Sequence, residues 1–169
     1  MGQMAQKISE VDRDELLNIL NVAYAEEWLA YYQYWLGAQL IVGPQRKEIA
    51  AEFLEHAEEE FEHAKKLASR IIELGGTPVL DPADWQKVAL CKYDAPSKPY
   101  SMNLLEQNLT AERCAVVRYQ KICEMTHGKD YATFRLAMKI LHEELEHEQE
   151  IGDFKDDIEM TAKYNERQQ

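Results

Sequence analysis

Two short segments of the sequence place a glutamate three residues before a histidine: EFEHA at 60–64 and ELEHE at 144–148. Residues at i and i+3 lie on one face of a helix, so Glu60 points the same way as His63, and Glu144 the same way as His147. A carboxylate and an imidazole together can bind a transition metal. A single pair of this kind is equally an ion pair on the outside of an acidic helix, so a metal site needs further ligands.

Each pair is preceded by a matching segment that supplies such a ligand. EWLAYYQY at 27–34 and ERCAVVRY at 112–119 both read Glu-x-x-Ala-x-x-x-Tyr. Glu27 lies 33 residues before Glu60, and Glu112 lies 32 residues before Glu144. The matched distances indicate an internal repeat of two helical hairpins.

If the two hairpins pair about a pseudo-twofold axis, four glutamates and two histidines converge in the bundle core. They are Glu27, Glu60, His63, Glu112, Glu144 and His147. A glutamate from each of two helices and Glu-x-x-His from each of the other two form the ligand set of di-iron carboxylate sites. Four buried carboxylates would repel one another without a cation, so the cluster itself predicts bound metal.

Other polar residues near these positions are assigned weaker roles. Tyr34 and Tyr119 lie two helical turns after Glu27 and Glu112, and each is predicted to hydrogen-bond a carboxylate across the bundle or to donate electrons. The adjacent acids are interpreted as solvated or as supporting the ligands; they are Glu59, Glu62, Glu143 and Glu146. The remaining histidines are predicted at the surface or at an interface; they are His56, His127 and His142.

The elements that position these residues are four long helices in one domain spanning 1–169. Apolar residues at three- and four-residue spacing predict helices at about 12–42, 45–75, 101–128 and 130–163. Segment 76–100 holds four of the five prolines, and it is predicted to be a long connection with one short helix near PADWQKVAL. Two tight turns that flank one long crossover predict an all-α four-helix bundle of the crossover type.

The composition limits the classes of partner and the cellular compartment. Charged residues make up 30% of the chain and its formal net charge is -12, which disfavours nucleic acid and anionic membranes as partners and favours cations. No apolar run approaches the roughly 20 residues of a membrane span, and the first residues do not read as a secretory signal. The expected location is therefore the cytoplasm.

The four helical segments, about residues 12–160, resemble the ferritin-like superfamily, and EWLAYYQY, EFEHAKKLASRIIELGGTPVL and EELEH resemble bacterioferritin motifs. The resemblance implies a ferroxidase centre with two iron ions per subunit, for which manganese or zinc could substitute. Glu60 and Glu144 would bridge the metals. Bacterioferritins carry a haem-ligating methionine directly after the glutamate that corresponds to Glu60; because this chain has Phe61 there, no haem is expected.

The bacterioferritin-like centre, the crossover with its short helix and AERCAVVRYQKIC together resemble the thioferritins, a branch of the Dps-like proteins (DNA protection during starvation). This resemblance implies a homo-oligomer, a hollow shell of twelve subunits. Its activity would be iron storage and oxidation of Fe(II) by hydrogen peroxide or oxygen, which protects against oxidative stress. The basic DNA-binding tail of many Dps proteins is absent.

The thioferritin resemblance also implies a redox-active cysteine pair near the metals, and Cys91 with Cys114 is the predicted pair. Cys114 and Cys123 cannot pair, because nine residues of helix separate them by about 13.5 Å. Cys91 lies in the crossover and can reach either, while Cys114 is two residues from Glu112. The alternative is that all three cysteines are reduced, as in most cytosolic proteins.

Two rival functions remain open from the sequence. The first is a di-metal peroxidase or catalase-like enzyme without mineral storage, although the Cys-x-x-Cys module that rubrerythrins carry is missing. The second is a bundle without enzymatic activity that binds DNA or a protein partner, which the acidic charge opposes for DNA. The oxidant, the choice of iron or manganese and the shell size are not fixed by the residues.

Overall fold

The computed structural model describes residues 3–168 as a bundle of four long antiparallel helices with two short ones outside it. The helices are α1 (Met4–Ile8), α2 (Arg13–Leu40), α3 (Arg46–Glu73), α4 (Trp85–Val88), α5 (Ser101–Thr126) and α6 (Tyr131–Glu166). The predicted all-α, ferritin-like bundle is confirmed, with α4 as the short helix in the long connection between α3 and α5. Helix α1 was not predicted, and α6 ends three residues later than expected.

At the open end of the hairpin of α2 and α3, the side chain of Arg13 joins the two helices by hydrogen bonds to backbone carbonyls. Helix α3 ends in a Schellman motif, in which the amides of Gly75 and Gly76 donate to carbonyls of the last turn. Gly75 has a φ of +75°, a conformation that favours glycine. Arg13, the first residue of α2, donates to the carbonyls of Leu74 (2.9 Å) and Gly75 (2.6 Å). The beginning of α2 is thereby tied to the end of α3.

The crossover between α3 and α5 runs the whole length of α2. It starts beside the N-terminal end of α2 and reaches the opposite end, where Val42 donates to the carbonyl of Pro99 (2.8 Å) and accepts from the amide of Ser101 (2.9 Å). Midway, Trp85 of α4 stacks on Trp28 of α2, with ring centroids 5.0 Å apart. Consequently α3 and α5 run in one direction, and α2 and α6 in the other.

Buried Glu26 fixes the second half of the crossover to the bundle. Its Oε1 accepts hydrogen bonds from the amides of Leu90 and Cys91, both at 3.0 Å. Its carboxylate also pairs with the guanidinium of Arg118 on α5, at 2.9 Å. Arg118 is itself buried, so this ion pair joins α2, α5 and the crossover at one point.

The apolar core consists of two separate layers, and the polar cluster predicted from the sequence lies between them. One layer is built around Leu16, Ile19, Leu20, Leu67, Ile71, Ile122 and Ile140. The other is built around Ile41, Ile49, Phe53, Leu104, Leu105 and Ile151. In each long helix the predicted ligands fall between residues of the two layers. Among the helices of residues 3–168, none has an apolar stretch long enough to cross a membrane.

A buried ion pair connects α3 to the start of α6. Arg70 donates to both carboxylate oxygens of Asp130 (3.0 and 2.9 Å) and to the hydroxyl of Thr133 (2.8 Å). Asp130 is also the N-cap of α6, because its carboxylate accepts from the amide of Thr133 at 2.9 Å. Arg70 and Asp130 are 5% and 2% exposed, so the charges stabilise each other away from water.

Candidate metal centre

The six predicted ligands lie together in the middle of the bundle. Helix α2 carries Glu27, α3 carries Glu60 and His63, α5 carries Glu112, and α6 carries Glu144 with His147. All six are between 0% and 3% exposed. They form two overlapping groups whose potential ligand atoms lie within 4.8 Å of one another, and Glu60 and Glu144 belong to both groups.

The first group consists of Glu27, Glu60, His63 and Glu144. The Nδ1 atom of His63 lies 3.2 Å from Glu27, 3.1 Å from Glu60 and 3.2 Å from Glu144. Three helices therefore supply carboxylate oxygens around one imidazole nitrogen.

The second group consists of Glu60, Glu112, Glu144 and His147. The Nδ1 atom of His147 lies 3.5 Å from Glu60, 3.7 Å from Glu112 and 3.8 Å from Glu144. These distances are longer than hydrogen bonds. The two groups are related as the sequence repeat predicts, with the carboxylates of Glu60 and Glu144 between the two histidines.

Two buried tyrosines hydrogen-bond the cluster across the pseudo-twofold axis. Tyr34 on α2 donates to Glu112 on α5, and Tyr119 on α5 donates to Glu27 on α2. Burial and the adjacent carboxylates raise the pKa of both phenols well above the ordinary value. Both tyrosines therefore remain protonated donors that fix the orientation of one carboxylate from each hairpin.

The outer nitrogen of each histidine faces a further carboxylate. Nε2 of His63 lies 3.0 Å from Glu143, and Nε2 of His147 lies 2.5 Å from Glu59. A carboxylate can only accept, so Nε2 carries the proton and Nδ1 is directed at the cluster. This carboxylate–histidine arrangement orients metal-binding imidazoles in proteins. The hydrogen bond from His63 lowers the pKa of Glu143 to about 2.

The buried carboxylates of the cluster repel one another unless positive charge is added. Burial, followed by repulsion from the neighbouring carboxylates, raises the pKa of Glu27 and Glu144 well above the ordinary value. Burial opposes protonation of His147, but the nearby carboxylates of Glu112 and Glu60 outweigh it and raise the pKa of this histidine to about 12. Protons thus supply the charge that metal ions would otherwise supply.

Several atoms of the cluster lack hydrogen bonds. Within residues 3–168, both carboxylate oxygens of Glu144, Oε2 of Glu112 and Nδ1 of His147 are buried without a hydrogen-bond partner. Buried polar atoms are rarely left in this way unless an ion or water satisfies them. The mixed oxygen and nitrogen donors and the open coordination fit a pair of divalent transition-metal ions.

One histidine lies where the sequence did not predict it. His56 is 1% exposed, and its ring stacks on that of His147 with centroids 4.0 Å apart. Burial, followed by the charge of His147, lowers the pKa of His56 to about 3. The prediction of a surface or interface position was wrong for His56, whereas His127 and His142 are exposed. The spacing offered a signal, because His56 precedes His63 by two helical turns.

Comparison with known proteins decides the family. The ferritin-like domain family matches residues 17–161. The chain belongs to the ferritin-like family.

The relatives of this ferritin-like chain include Dps proteins. It is 41% identical over 141 residues to the DNA protection during starvation protein of Pyrococcus furiosus, which covers 82% of this chain and 75% of the relative. It is 49% identical to the bacterioferritin-related protein of Bacteroides fragilis, described as a dodecameric thioferritin; the TM-score is 0.95, over 96% of this chain and 98% of that one. The predicted relationship to the Dps-like branch is therefore confirmed.

A more distant structure agrees in fold alone. Dps from Thermosynechococcus elongatus has a TM-score of 0.80 at 22% identity, over 90% of this chain and 94% of that chain.

A cavity of about 440 Å³ leads to the glutamates of this ferritin-like bundle. Glu27, Glu60 and Glu112 line it on the metal-site side, and the exposed acids Asp94 and Glu106 line it towards the solvent. The cavity therefore connects the surface between α2 and α5 with the cluster.

The wall of this cavity includes a disulfide between Cys91 and Cys114, the pair predicted from the thioferritin resemblance. The two Cα atoms are 6.3 Å apart, within the usual range for a disulfide. Cys91 is held in place by the hydrogen bond from its amide to Glu26. Cys123 is free and buried.

Alkylation after denaturation should therefore distinguish the three cysteines. Without reductant we expect iodoacetamide to modify Cys123 alone, because the other two sulfurs are bonded to each other. After reduction we expect three modified cysteines. Mass spectrometry of the peptides measures both states. Modification of all three without reductant would show that the purified protein is the dithiol form.

Proposed function

We propose that the protein is a ferroxidase that oxidises Fe(II) at a two-metal site within each subunit and stores the product as Fe(III). The observation that carries this proposal is the pair of overlapping ligand groups that share Glu60 and Glu144. A shared carboxylate can bridge two cations, and the two histidines each serve one of them. The assignment of all six residues as ligands is part of the proposal.

In this proposal Fe(II) is the substrate, and the protein supplies position and charge. Glu27 and His63 complete one binding position, while Glu112 and His147 complete the other. The acidic cavity wall and the net charge of -12 raise the local concentration of cations. Tyr34 and Tyr119 keep one carboxylate of each position in a fixed orientation through their hydrogen bonds.

The reaction balances with either oxidant. Each hydrogen peroxide molecule takes one electron from each of two Fe(II) ions and, with two protons, becomes two water molecules. Dioxygen takes the same two electrons and two protons and becomes hydrogen peroxide. Consumption of Fe(II) together with peroxide removes both reactants that generate hydroxyl radicals, which is a protective role.

Storage requires an assembly with an interior. The bacterioferritin-related protein of Bacteroides fragilis is described as dodecameric, and it matches nearly all of this chain at 49% identity. On that support we propose a hollow homo-oligomer of about twelve subunits whose interior receives the Fe(III).

The cysteines beside the site extend the proposal to a redox role. In the dithiol form, Cys91 and Cys114 could reduce one molecule of peroxide to two waters, forming their disulfide and transferring the thiol protons to the product. A thiol reductant would then be needed to restore the dithiol. The disulfide in the cavity wall is the observation that favours the second candidate function, a peroxidase without mineral storage.

Iron loading of the metal-free, intact assembly tests the proposal and separates the two candidates. We expect oxidation of two Fe(II) per subunit with peroxide or oxygen, followed by retention of many more iron atoms per subunit when excess Fe(II) is added. Native mass spectrometry gives the particle mass, and iron analysis after gel filtration gives the content. Retention that stops at two per subunit would support the peroxidase, and failure to oxidise Fe(II) would contradict the ferroxidase.

Metal binding should also stabilise the folded protein. The buried carboxylates repel one another in the metal-free state, and a ligand that binds only the folded state stabilises it by about 2.7 kcal/mol at a free concentration of 100 times Kd. We therefore expect Zn(II), which does not oxidise, to raise the melting temperature of chelator-treated protein, and a chelator to reverse the shift. An unchanged melting temperature at saturating Zn(II) would argue against a buried metal site.

A further inference from the structure

His56 lies outside the set of six predicted ligands, but its Nε2 atom faces a carboxylate, as it does in the two histidines of that set. Nε2 of His63 faces Glu143, and Nε2 of His147 faces Glu59. Nε2 of His56 likewise lies 3.0 Å from Glu150, with Glu52 at 3.5 Å. In each case a carboxylate near the edge of the bundle accepts the Nε2 proton, which leaves Nδ1 as the nitrogen that can bind a metal ion.

The Nδ1 atom of His56 has no other use in the described part of the chain. It is buried and forms no hydrogen bond among residues 3–168, as is also true of Nδ1 of His147 and Oε2 of Glu112. His56, Glu112 and His147 each offer a potential ligand atom within 4.8 Å of the others. A lone pair beside a carboxylate oxygen and a second imidazole is unfavourable unless a cation lies among them.

We infer that His56 is a seventh ligand of the metal centre, which binds through Nδ1 the metal ion held by Glu112 and His147. The inference rests on the proposed two-metal site and adds a nitrogen donor to one of its two positions. Glu150 and Glu52 serve this imidazole as Glu59 serves His147, by accepting the proton on Nε2.

The extra ligand makes the two metal positions different from each other. The repeat relates His63 to His147, and by the same offset it relates His56 to Ile140, a buried apolar residue. The position at His147 therefore has two imidazoles, whereas the position at His63 has one. Because imidazole favours the later transition metals, Co(II) and Zn(II) should bind the position at His147 more tightly.

The test compares metal binding by metal-free protein and by two variants, each in the intact assembly. His56→Phe keeps an aromatic ring against His147 but removes both nitrogens, and His142→Phe makes the same change at an exposed site. Cobalt(II) binding is followed by calorimetry and by its visible absorption, which responds to the coordination number and the type of ligands. His56→Gln provides a smaller, polar replacement if His56→Phe assembles poorly.

We expect two unequal Co(II) binding steps in the wild type and in His142→Phe. In the His56 variants the tighter step should weaken by at least about tenfold, with a shift in the absorption spectrum, while the other step stays within about twofold. Anomalous diffraction from Zn(II)-soaked crystals should place a zinc ion within about 2.1 Å of Nδ1 of His56.

Three results would overturn the inference, and the third would also contradict the proposed function. Equal binding by His56→Phe and His142→Phe would show that His56 only packs against His147. A zinc ion on Nε2, between Glu52 and Glu150, would assign His56 to a separate site. Wild-type protein that binds no Co(II) or Zn(II) would contradict the proposed function as well, whereas the first two results leave that function intact.

Discussion

Replacing Glu144 by glutamine should lower the rate of Fe(II) oxidation at least about 100-fold. Mutating a residue that only hydrogen-bonds a metal ligand typically lowers metal affinity or activity about 10- to 100-fold, and loss of a ligand shared by two metals should cost more. Glu144 is fully buried and belongs to both ligand groups, so its carboxylate would contact both metals. An amide cannot bridge two cations and carries no charge to balance them. Stopped-flow absorbance with two Fe(II) per subunit measures the rate, and calorimetry with Zn(II) measures the lost binding.

Glu146→Gln is the matched control for this substitution. It makes the same chemical change two residues away on α6, at a side chain that is 60% exposed and lies outside both groups. We expect wild-type oxidation and wild-type Zn(II) binding. Wild-type activity in Glu144→Gln itself would show that oxidation takes place elsewhere on the protein.

The same variant separates loss of metal from loss of fold. Burial, followed by repulsion from Glu60, Glu27 and Glu112, raises the pKa of Glu144, so its charge destabilises the metal-free protein. Neutral glutamine relieves that repulsion. In the presence of a chelator, the melting temperature of Glu144→Gln should therefore equal or exceed that of the wild type, and the stabilisation by Zn(II) should disappear.

The arrangement of the six residues was predictable because it depends on local geometry and on repetition. The i and i+3 spacing sets Glu60 beside His63 on any helix, and matched distances in the two halves indicate a symmetric pairing of hairpins. The helix ends have equally local causes, because the side chains of Asp12 and Asp130 cap α2 and α6, and Gly75 and Gly76 end α3. The structure brings these residues together as that geometry requires.

The sequence did not predict the contacts that depend on segments far apart along the chain. The repeat gave no reason to expect His56 in the centre, because the equivalent position in the other half is Ile140. Whether a histidine two turns from a ligand is buried depends on how closely α3 packs on α6. Likewise, the role of Glu26 depends on Arg118 and on the path of the crossover, 64 and more residues away along the chain.

The centre also depends on the register between the two hairpins, because each half of the cluster takes Glu60 or Glu144 from the opposite hairpin. The buried pair of Arg70 on α3 and Asp130 at the start of α6 joins these hairpins on one side of the cluster. The tyrosine hydrogen bonds and Glu26 with Arg118 join α2 to α5. These hydrogen bonds and ion pairs depend on distance and direction, so they fix the register of the helices. Apolar side chains alone would allow one helix to shift along another.

Asp130→Ala should therefore destabilise the metal-free protein by about 3–5 kcal/mol, the cost of leaving a buried charge without its partner. The substitution removes the buried partner of Arg70, which is 5% exposed and keeps only the exposed Glu73, and it removes the N-cap of α6 as well. Asp12→Ala is the matched control, because Asp12 caps α2 in the same way at an exposed site and has no buried arginine. Denaturant unfolding in chelator should give a loss of only about 1 kcal/mol for that variant; equal losses would mean that the ion pair adds nothing.

The difference between the wild type and Asp130→Ala should depend on pH in one direction. Burial raises the pKa of Asp130, but hydrogen bonds from Thr133 and the charge of Arg70 outweigh it and hold the pKa below its ordinary value. Since the folded state binds this proton less readily than the unfolded state, the pair stabilises the protein fully above the unfolded pKa of about 3.9. Below about pH 4 the advantage of the wild type should shrink as the carboxylate is protonated, while at neutral pH it should be constant. An advantage that persisted unchanged well below pH 4 would show that the cap and packing of Asp130, and not its charge, hold α6 against α3.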